Sequence, residues 1–450
     1  MTVLNVLLVT YGFPPLGGVG VLRAASLARY LPTEGVRLDV LTARNASAVG
    51  ADPGLLRGIP PEVMVHRTLA LDLPFGLKKA VKKLIVGITP SPASLSTSAQ
   101  DKPRRQAAAI RDLLLPDPQI GWLPTLTRKA RRVIRNRKID LVIVTVPPYS
   151  SLLLIKKLRN EFSELPIVAD FRDEWLSTTI DLVSFSRSSR ARTVARRIEA
   201  TAVANATAVV AVTEAARHEI RTRYPQEKDG KFQVIPNGFD RKALQSPPRD
   251  TSRRNRIILT YIGNIYGSTN PASLVKALQT LPSEVRSQFR LRFIGHIEEQ
   301  VFRQDLLQLG EVVQLRDFVP QDKALEALRE GDYALLITQD PVNVSAKFYD
   351  YIGAGVPILA LVHPEGEVKR LLNELRAGWS ADINDVADIR RLFLEAAAAE
   401  NPLLPSFRPN HAKIAQYERK SLAGRYAALL HSIASPSLKS GFAPMSETEA

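Results

Sequence analysis

The chain has no cysteine, which excludes a disulfide framework and any thiolate metal site and makes a reducing, cytoplasmic compartment the expectation. Its six histidines are scattered, and no His, Asp and Glu spacing reads as a ligand cluster, so no metal is expected. No stretch reaches the roughly 20 uninterrupted apolar residues that a bilayer-spanning helix needs. The opening MTVLNVLLVTYGFPP is apolar for only about eight positions, lacks a basic leader and runs into a turn, so it reads as a first strand rather than a signal peptide. Acidic residues are few beside basic ones, 45 against 61, a net charge of +16. That surplus calls for an acidic partner: phosphate-rich substrate, anionic membrane or nucleic acid.

A length of 450 residues is too much for one ordinary core and predicts two domains of about 200 residues each plus a tail. A composition 45% hydrophobic and 24% charged is that of a folded globular protein. Short β-branched runs at 3–10, 37–41, 141–146, 167–171 and 208–213 alternate with amphipathic helical stretches, the pattern of a parallel sheet with helices on both faces. LNVLLVT, DLVIVTV and ATAVVAV are near-continuously apolar, as central strands buried on both faces require. The Pro, Ser and charge-rich segment QSPPRDTSRRN then marks a linker at 241–255. A second series of strands follows at 256–262, 290–294, 312–315, 333–337 and 357–361, with helices at 271–279 and 323–330 among them. The division is thus an N-terminal domain 1–240, a C-terminal domain 256–408, a helix at 409–434 crossing back to the first domain, and a small, polar, disordered tail at 435–450. Two doubly wound domains leave a cleft between the carboxyl ends of their sheets, so function is sought in strand-to-helix loops.

Four such loops carry chemistry. PPLGGVGVLRAASLAR, residues 14–29, puts Gly17, Gly18 and Gly20 between the first strand and first helix, where backbone amides can approach a phosphate or sugar. A tight ligand-free turn would read the same way. The spacing is not GxGxxG and Asp39 lies inside the second strand, which disfavours NAD. VADFRDEWL, residues 168–176, clusters Asp170, Arg172, Asp173 and Glu174 beside Trp175; four charges at the end of a buried strand suit a cleft edge better than a core. The alternative is an Arg172 ion pair that only orients the loop. VNVSAKFYDYIGAGVPILAL, residues 342–361, offers Ser345 as N-cap, Lys347 in the first turn, Asp350 three residues on, and Gly353 and Gly355 closing the helix. Amides at that helix start plus Lys347 suit a diphosphate, and Asp350 suits two ribose hydroxyls; a merely capped surface helix is the plain alternative. TYIGNIYGSTNP, residues 260–271, with Gly263 and Asn264, is the phosphate-binding counterpart that opens the second domain.

At these residues the chain resembles the large retaining glycosyltransferase family numbered four, of the GT-B fold: PPLGGVG, IPNGFD and KFYDYIGAGVPILA look like its signatures in order. PPYS at 147–150 and DFRDEW at 170–175 resemble a subgroup common in bacterial capsule, exopolysaccharide and O-antigen clusters. The resemblance implies that Gly17 and Gly18 approach a donor diphosphate and sugar, and that Asp350 matches the second carboxylate of the family's E-x7-E pair, on the ribose. The first carboxylate falls at Val342. The loop NIYGSTNP also lacks the family's Arg and Lys for the pyrophosphate, which leaves Lys347 as the replacement cation, and the family's His-Asp becomes Arg172-Asp173. From the resemblance, donor binding is assigned to Gly17, Gly18, Gly263, Asn264, Ser345, Lys347 and Asp350, catalysis to Asp173, Arg172 and Lys347, and acceptor binding to Asp170, Trp175 and Trp122. Retention of configuration without metal or other cofactor is implied, with the leaving phosphate assisting deprotonation of the acceptor.

Residues 76–138 hold fifteen Lys and Arg against three Asp and Glu, twelve of the sixteen surplus positive charges. Within LPFGLKKAVKKLIVGI, Lys78, Lys79, Lys82 and Lys83 lie beside Leu77, Val81, Leu84 and Ile85 at helical spacing, as in a helix lying on an anionic membrane where lipid-linked acceptors reside. The 73–138 stretch therefore reads as a membrane-facing insertion of a peripheral enzyme; its RKARRVIRNRK cluster reads first as the outer face of the helix preceding the strand at 140–146, from where it can still augment the field. The partners expected are a nucleotide sugar, a lipid-linked or polysaccharide acceptor and an anionic membrane, and no nucleic acid. Three rivals remain open: a GT-B-fold sugar-nucleotide epimerase, a catalytically degenerate nucleotide-sugar-binding subunit, and a nucleic-acid binder on charge alone.

Overall fold

The computed structural model describes residues 3–46, 51–70, 115–177, 189–241, 256–317, 319–398 and 406–434. The first half forms a seven-stranded parallel sheet in the order β3-β2-β1-β4-β5-β6-β7. Its strands are β1 Leu4–Val9, β2 Val36–Ala43, β3 Met64–Thr68, β4 Leu141–Val146, β5 Ile167–Phe171, β6 Ala208–Ala211 and β7 Phe232–Val234. The second half forms a six-stranded parallel sheet in the order β10-β9-β8-β11-β12-β13. It comprises β8 Ile257–Ile262, β9 Phe289–Ile294, β10 Val313–Arg316, β11 Tyr333–Thr338, β12 Ile358–Val362 and β13 Gly378–Asp382.

Strand alternation divides each core between two faces. From β1, Leu7 and Val9 enter one cluster and Leu4, Val6 and Leu8 the other; β4 divides Val142, Val144 and Val146 from Leu141 and Ile143 in the same way. In the second sheet, Leu335 and Ile337 of β11 face one cluster and Ala334 and Leu336 the other. Both faces are covered, which is why these strands tolerate no polar alternation.

Seven helices position the site: α1 Val19–Tyr30, α2 Leu123–Arg137, α3 Leu153–Arg159, α4 Glu214–Arg223, α5 Ala346–Ala354, α6 His411–Ala415 and α7 Arg419–Ala434. The terminal segment is two helices rather than the continuous one expected. Ile414 of α6 belongs to a core cluster of the second domain, whereas Leu422, Tyr426, Ala427 and Leu430 of α7 pack into the first. The chain therefore crosses back, and its two interdomain passages are zipped together: Phe239 donates to the Tyr417 carbonyl at 3.1 Å and Arg419 to the Phe239 carbonyl at 2.9 Å. At Gly238 a Cβ would run into the Tyr417 carbonyl oxygen and lie 2.6 Å from Leu422 Cδ1, so only glycine lets the strands of this crossover meet.

Three strands go beyond the sequence reading: β3, β7 and β13. They lie at sheet edges, and their burial is incomplete. In the basic stretch, residues 71–114 with Lys78, Lys79, Lys82 and Lys83 lie outside the described residues, as do 242–255 of the linker and 435–450 of the tail. In its remainder α2 is the helix that precedes β4, as the reading of RKARRVIRNRK expects, and it buries Leu126, Ala130, Val133 and Ile134 against the first sheet.

Candidate active site

Strand order reverses between β1 and β4 in the first sheet and between β8 and β11 in the second, and crevices outside the carboxyl ends of strands at such points are where this architecture binds ligands. A cleft of about 770 Å³ lies there, lined by α1, the loops after β5, β8, β9 and β11, the start of α5, the 235–238 crossover and α7. That volume suits a nucleotide-sized ligand.

On the second domain's wall, Ser345 is the N-cap of α5, yet its side chain makes no capping bond. Among the described residues the Ser345 and Ser268 hydroxyls are buried without a hydrogen-bond partner, and both residues line the cleft. A helix amino terminus with free amides and an uncommitted hydroxyl is an anion site in waiting. Lys347, in the first turn, donates to the Tyr261 hydroxyl at 2.7 Å and lies 4.1 Å over its ring. Burial pushes its pKa down to about 8. Lys347 thus reaches the loop after β8 from a different element: at Gly263, which holds φ +121, a Cβ would stand 3.2 Å from its Nζ. Side chains are strained at that φ and crowded by the ammonium, so glycine is required there. Asn264, two residues before Tyr266, lines the cleft and accepts from the Tyr261 hydroxyl through its carbonyl at 2.8 Å.

On the first domain's wall, Gly18 is the N-cap of α1 at φ +97, with Gly17 just before it, while Val19 and Gly20 line the cleft. Arg172 spends its guanidinium on three backbone carbonyls: Nε on Val146 at 3.2 Å, Nη2 on Pro147 at 2.7 Å, and Nη1 on Gly20. It locks the glycine loop to the end of β4, which makes it a positioning residue. Asp173 faces the cleft. Its pKa is raised by burial, the Asp340 charge adding to the rise and the Arg172 and Arg23 charges opposing it. Among the described residues no hydrogen-bond donor meets its carboxylate, so it is poised to accept from a hydroxyl.

The three residues assigned to the acceptor lie outside the cleft lining. The Asp170 carboxylate is fully buried and taken bidentately by Arg23, at 2.7 and 3.0 Å, while Arg23 also donates to the Pro236 carbonyl at 2.9 Å. With no exposed surface, that carboxylate is out of contact with the cleft and serves the ion pair. Trp122 is a core residue, edge-on to Tyr11 and donating to Thr68 at 2.8 Å. Trp175 stacks on Tyr149 at 4.2 Å, outside the cleft lining. Asp350 lies on α5, half-buried, and is not part of the lining either. Sequence reasoning missed Arg23, Glu298, Arg419 and Tyr426, all of which line the cleft. Only the helical pattern of the crossing segment hinted at the last two.

Among the described residues no group of three or more His, Asp or Glu side chains could hold a metal ion, and no helix is long and apolar enough to cross a membrane.

Comparison with known proteins bears on this geometry. The family described as Glycosyltransferase Family 4 matches residues 85–243. No curated protein sequence matches the chain. Among solved structures, Anabaena HepE in complex with UDP and glucose is similar at 15% identity and a TM-score of 0.63, over 95% of this chain and 100% of that one. The lipopolysaccharide outer core galactosyltransferase WaaB aligns at 11% identity and 0.55, over 95% and 99%. A putative UDP-N-acetylglucosamine 2-epimerase from Listeria monocytogenes aligns at 13% and 0.52, over 96% of each. The fold is therefore the two-domain GT-B arrangement, and with the match over residues 85–243 it supports a place for this chain among the family 4 glycosyltransferases.

Proposed function

We propose that the protein transfers a sugar from a nucleotide-diphosphate donor to a lipid-linked or glycan acceptor in bacterial surface-polysaccharide synthesis, with retention of configuration and without a metal. The observation that carries this reading is the second domain's wall: the start of α5 and the uncommitted Ser345 hydroxyl line the cleft, and the buried Lys347 ammonium stands beside Gly263 just behind that lining. In this reading the helix amides and Lys347 neutralise the departing diphosphate, the role a metal plays elsewhere. HepE, of the same fold, is described with UDP and glucose bound, which supports a nucleotide sugar as donor. Asp173 accepts from the acceptor hydroxyl on the opposite wall. Gly17 and Gly18 bring the first loop to the donor, and Asp350 of α5 is the residue proposed for the ribose hydroxyls.

The proposed site of action is the inner face of the cell membrane. Supporting this, a groove between α2 and α3 is lined by Arg128, Arg131, Arg132, Arg135 and Lys157, of which Arg131 and Arg135 pair with Glu161. The remaining cations form a surface that an anionic bilayer would attract.

The test is release of nucleoside diphosphate from a panel of nucleotide sugars, with and without a membrane-lipid fraction as acceptor. Release that depends on the lipid fraction supports transfer. Conversion of the donor to its epimer without acceptor would favour the second reading, to which the epimerase-like fold lends support. Binding without turnover would indicate a degenerate subunit, a reading motivated by Val342.

A further inference from the structure

Val342, at the position where the family resemblance places a carboxylate, does not face the cleft. It is 7% exposed and belongs to the core cluster of the first domain, although its chain segment belongs to the second. Two hydrogen bonds hold it there: the Thr213 hydroxyl donates to the Val342 carbonyl at 2.9 Å, and the Glu174 backbone N–H donates to Asn343 Oδ1 at 2.8 Å. Both first-domain partners are themselves fixed. Thr213 caps α4 by accepting from Ala216 at 3.0 Å, and the Glu174 carboxylate accepts from Leu176, Ser177 and Arg223. On the other side, Asp340 accepts from the Val342 and Asn343 backbone N–H groups at 2.9 Å each and from Asn343 Nδ2 at 3.0 Å. Every polar atom of the Asn343 side chain is thereby used, one end within its own domain and the other across the interface.

The peptide that Asn343 grips is the one immediately after Asp173. We propose that Asn343 and Val342 form a latch that closes the domains and, by holding the Glu174 N–H, sets the Asp173 carboxylate in the cleft; Asn343 is a positioning residue for the reaction. The inference rests on the transferase reading for its catalytic half. A carboxylate at position 342 would be driven into an apolar cluster, so the latch and the carboxylate are alternatives at this position. Here the chain has the latch.

The test uses the full chain. Because it has no cysteine, Arg132→Cys on α2 and Arg303→Cys on the helix Gln300–Leu307 place one dye on each domain. Without any ligand, Asn343→Ala should move interdomain energy transfer to lower efficiency, and Thr213→Val should do the same through the other bond. With donor and acceptor, Asn343→Ala should lower kcat by roughly tenfold or more while nucleotide affinity changes by less than about twofold, because the diphosphate wall is left intact. Asn343→Asp adds a like charge beside Asp340 and should shift the acid limb of the pH profile upward, a change that simple loosening of the fold would not produce. Energy transfer unaltered by Asn343→Ala, or kcat and affinity falling together, would overturn the proposal. If the wild-type chain bound no nucleotide, the transferase reading would fail, and the ligand-free energy transfer would still decide the latch.

Discussion

Lys347 Nζ is 2.7 Å from the Tyr261 hydroxyl and 4.1 Å from the centre of the same ring, so one aromatic residue of β8 holds the ammonium of α5 from two directions. Burial makes the charged form costly and brings the pKa down to about 8. A bound diphosphate favours the charged form, so the pKa in the complex must lie above that of the free protein. Nucleotide affinity is therefore full below pH 8 and falls as the pH rises through it. Calorimetry at pH 7 and pH 9 should show weaker binding at the higher value, with proton uptake. Lys347→Ala should weaken binding roughly 10- to 100-fold at pH 7 and remove the difference between the two pH values.

Asp173→Asn should lower kcat by about 10²- to 10⁴-fold with nucleotide affinity unchanged, the range expected for a group that accepts a proton or hydrogen bond in the transition state. Because burial raises the Asp173 pKa, activity in the wild type should fall with pH at values above the ordinary aspartate range. Steady-state kinetics across pH read both effects. A proportionate loss of affinity would place Asp173 in donor binding instead.

Arg23 and Asp170 join α1 to β5 with side chains 8% and 0% exposed. Removing one partner leaves the other charge buried and uncompensated, so Asp170→Ala should cost about 3–5 kcal/mol in urea unfolding. Asp170→Asn keeps the shape and part of the hydrogen bonding and should cost less.

How far the sequence spoke depended on whether its signals were local. The central strands were legible because LVIVTV and its like are apolar at nearly every position, and the glycine loop, Arg172-Asp173 and Ser345-Ala346 were legible because strand-to-helix loops gather at the carboxyl edge. The edge strand MVHRT was not, since one with two exposed apolar and three polar residues carries no buried-strand pattern. Asp170 and Arg23 are 147 residues apart, and no local pattern announces that pairing. The same holds for Arg419 and Tyr426, which enter the cleft only because α7 returns to the first domain. Nothing local in the sequence separates an acceptor-facing Trp122 from the core residue that its packing against Tyr11 makes it.

Neutralising Arg128, Arg132 and Lys157 to Ala should reduce pelleting with vesicles containing anionic phospholipid, while a control replacing Lys276, Arg303 and Lys420 on other exposed surfaces should not. Unchanged pelleting of the first variant would place the membrane-facing surface elsewhere.

Isothermal calorimetry of the full chain against UDP, GDP and ADP, repeated on Lys347→Ala, tests the central claim most directly. Binding of one nucleoside diphosphate in the micromolar range, weakened in the variant, is the predicted result. Binding of none, or binding that Lys347→Ala leaves unaltered, would contradict the assignment of the cleft as a nucleotide-sugar site.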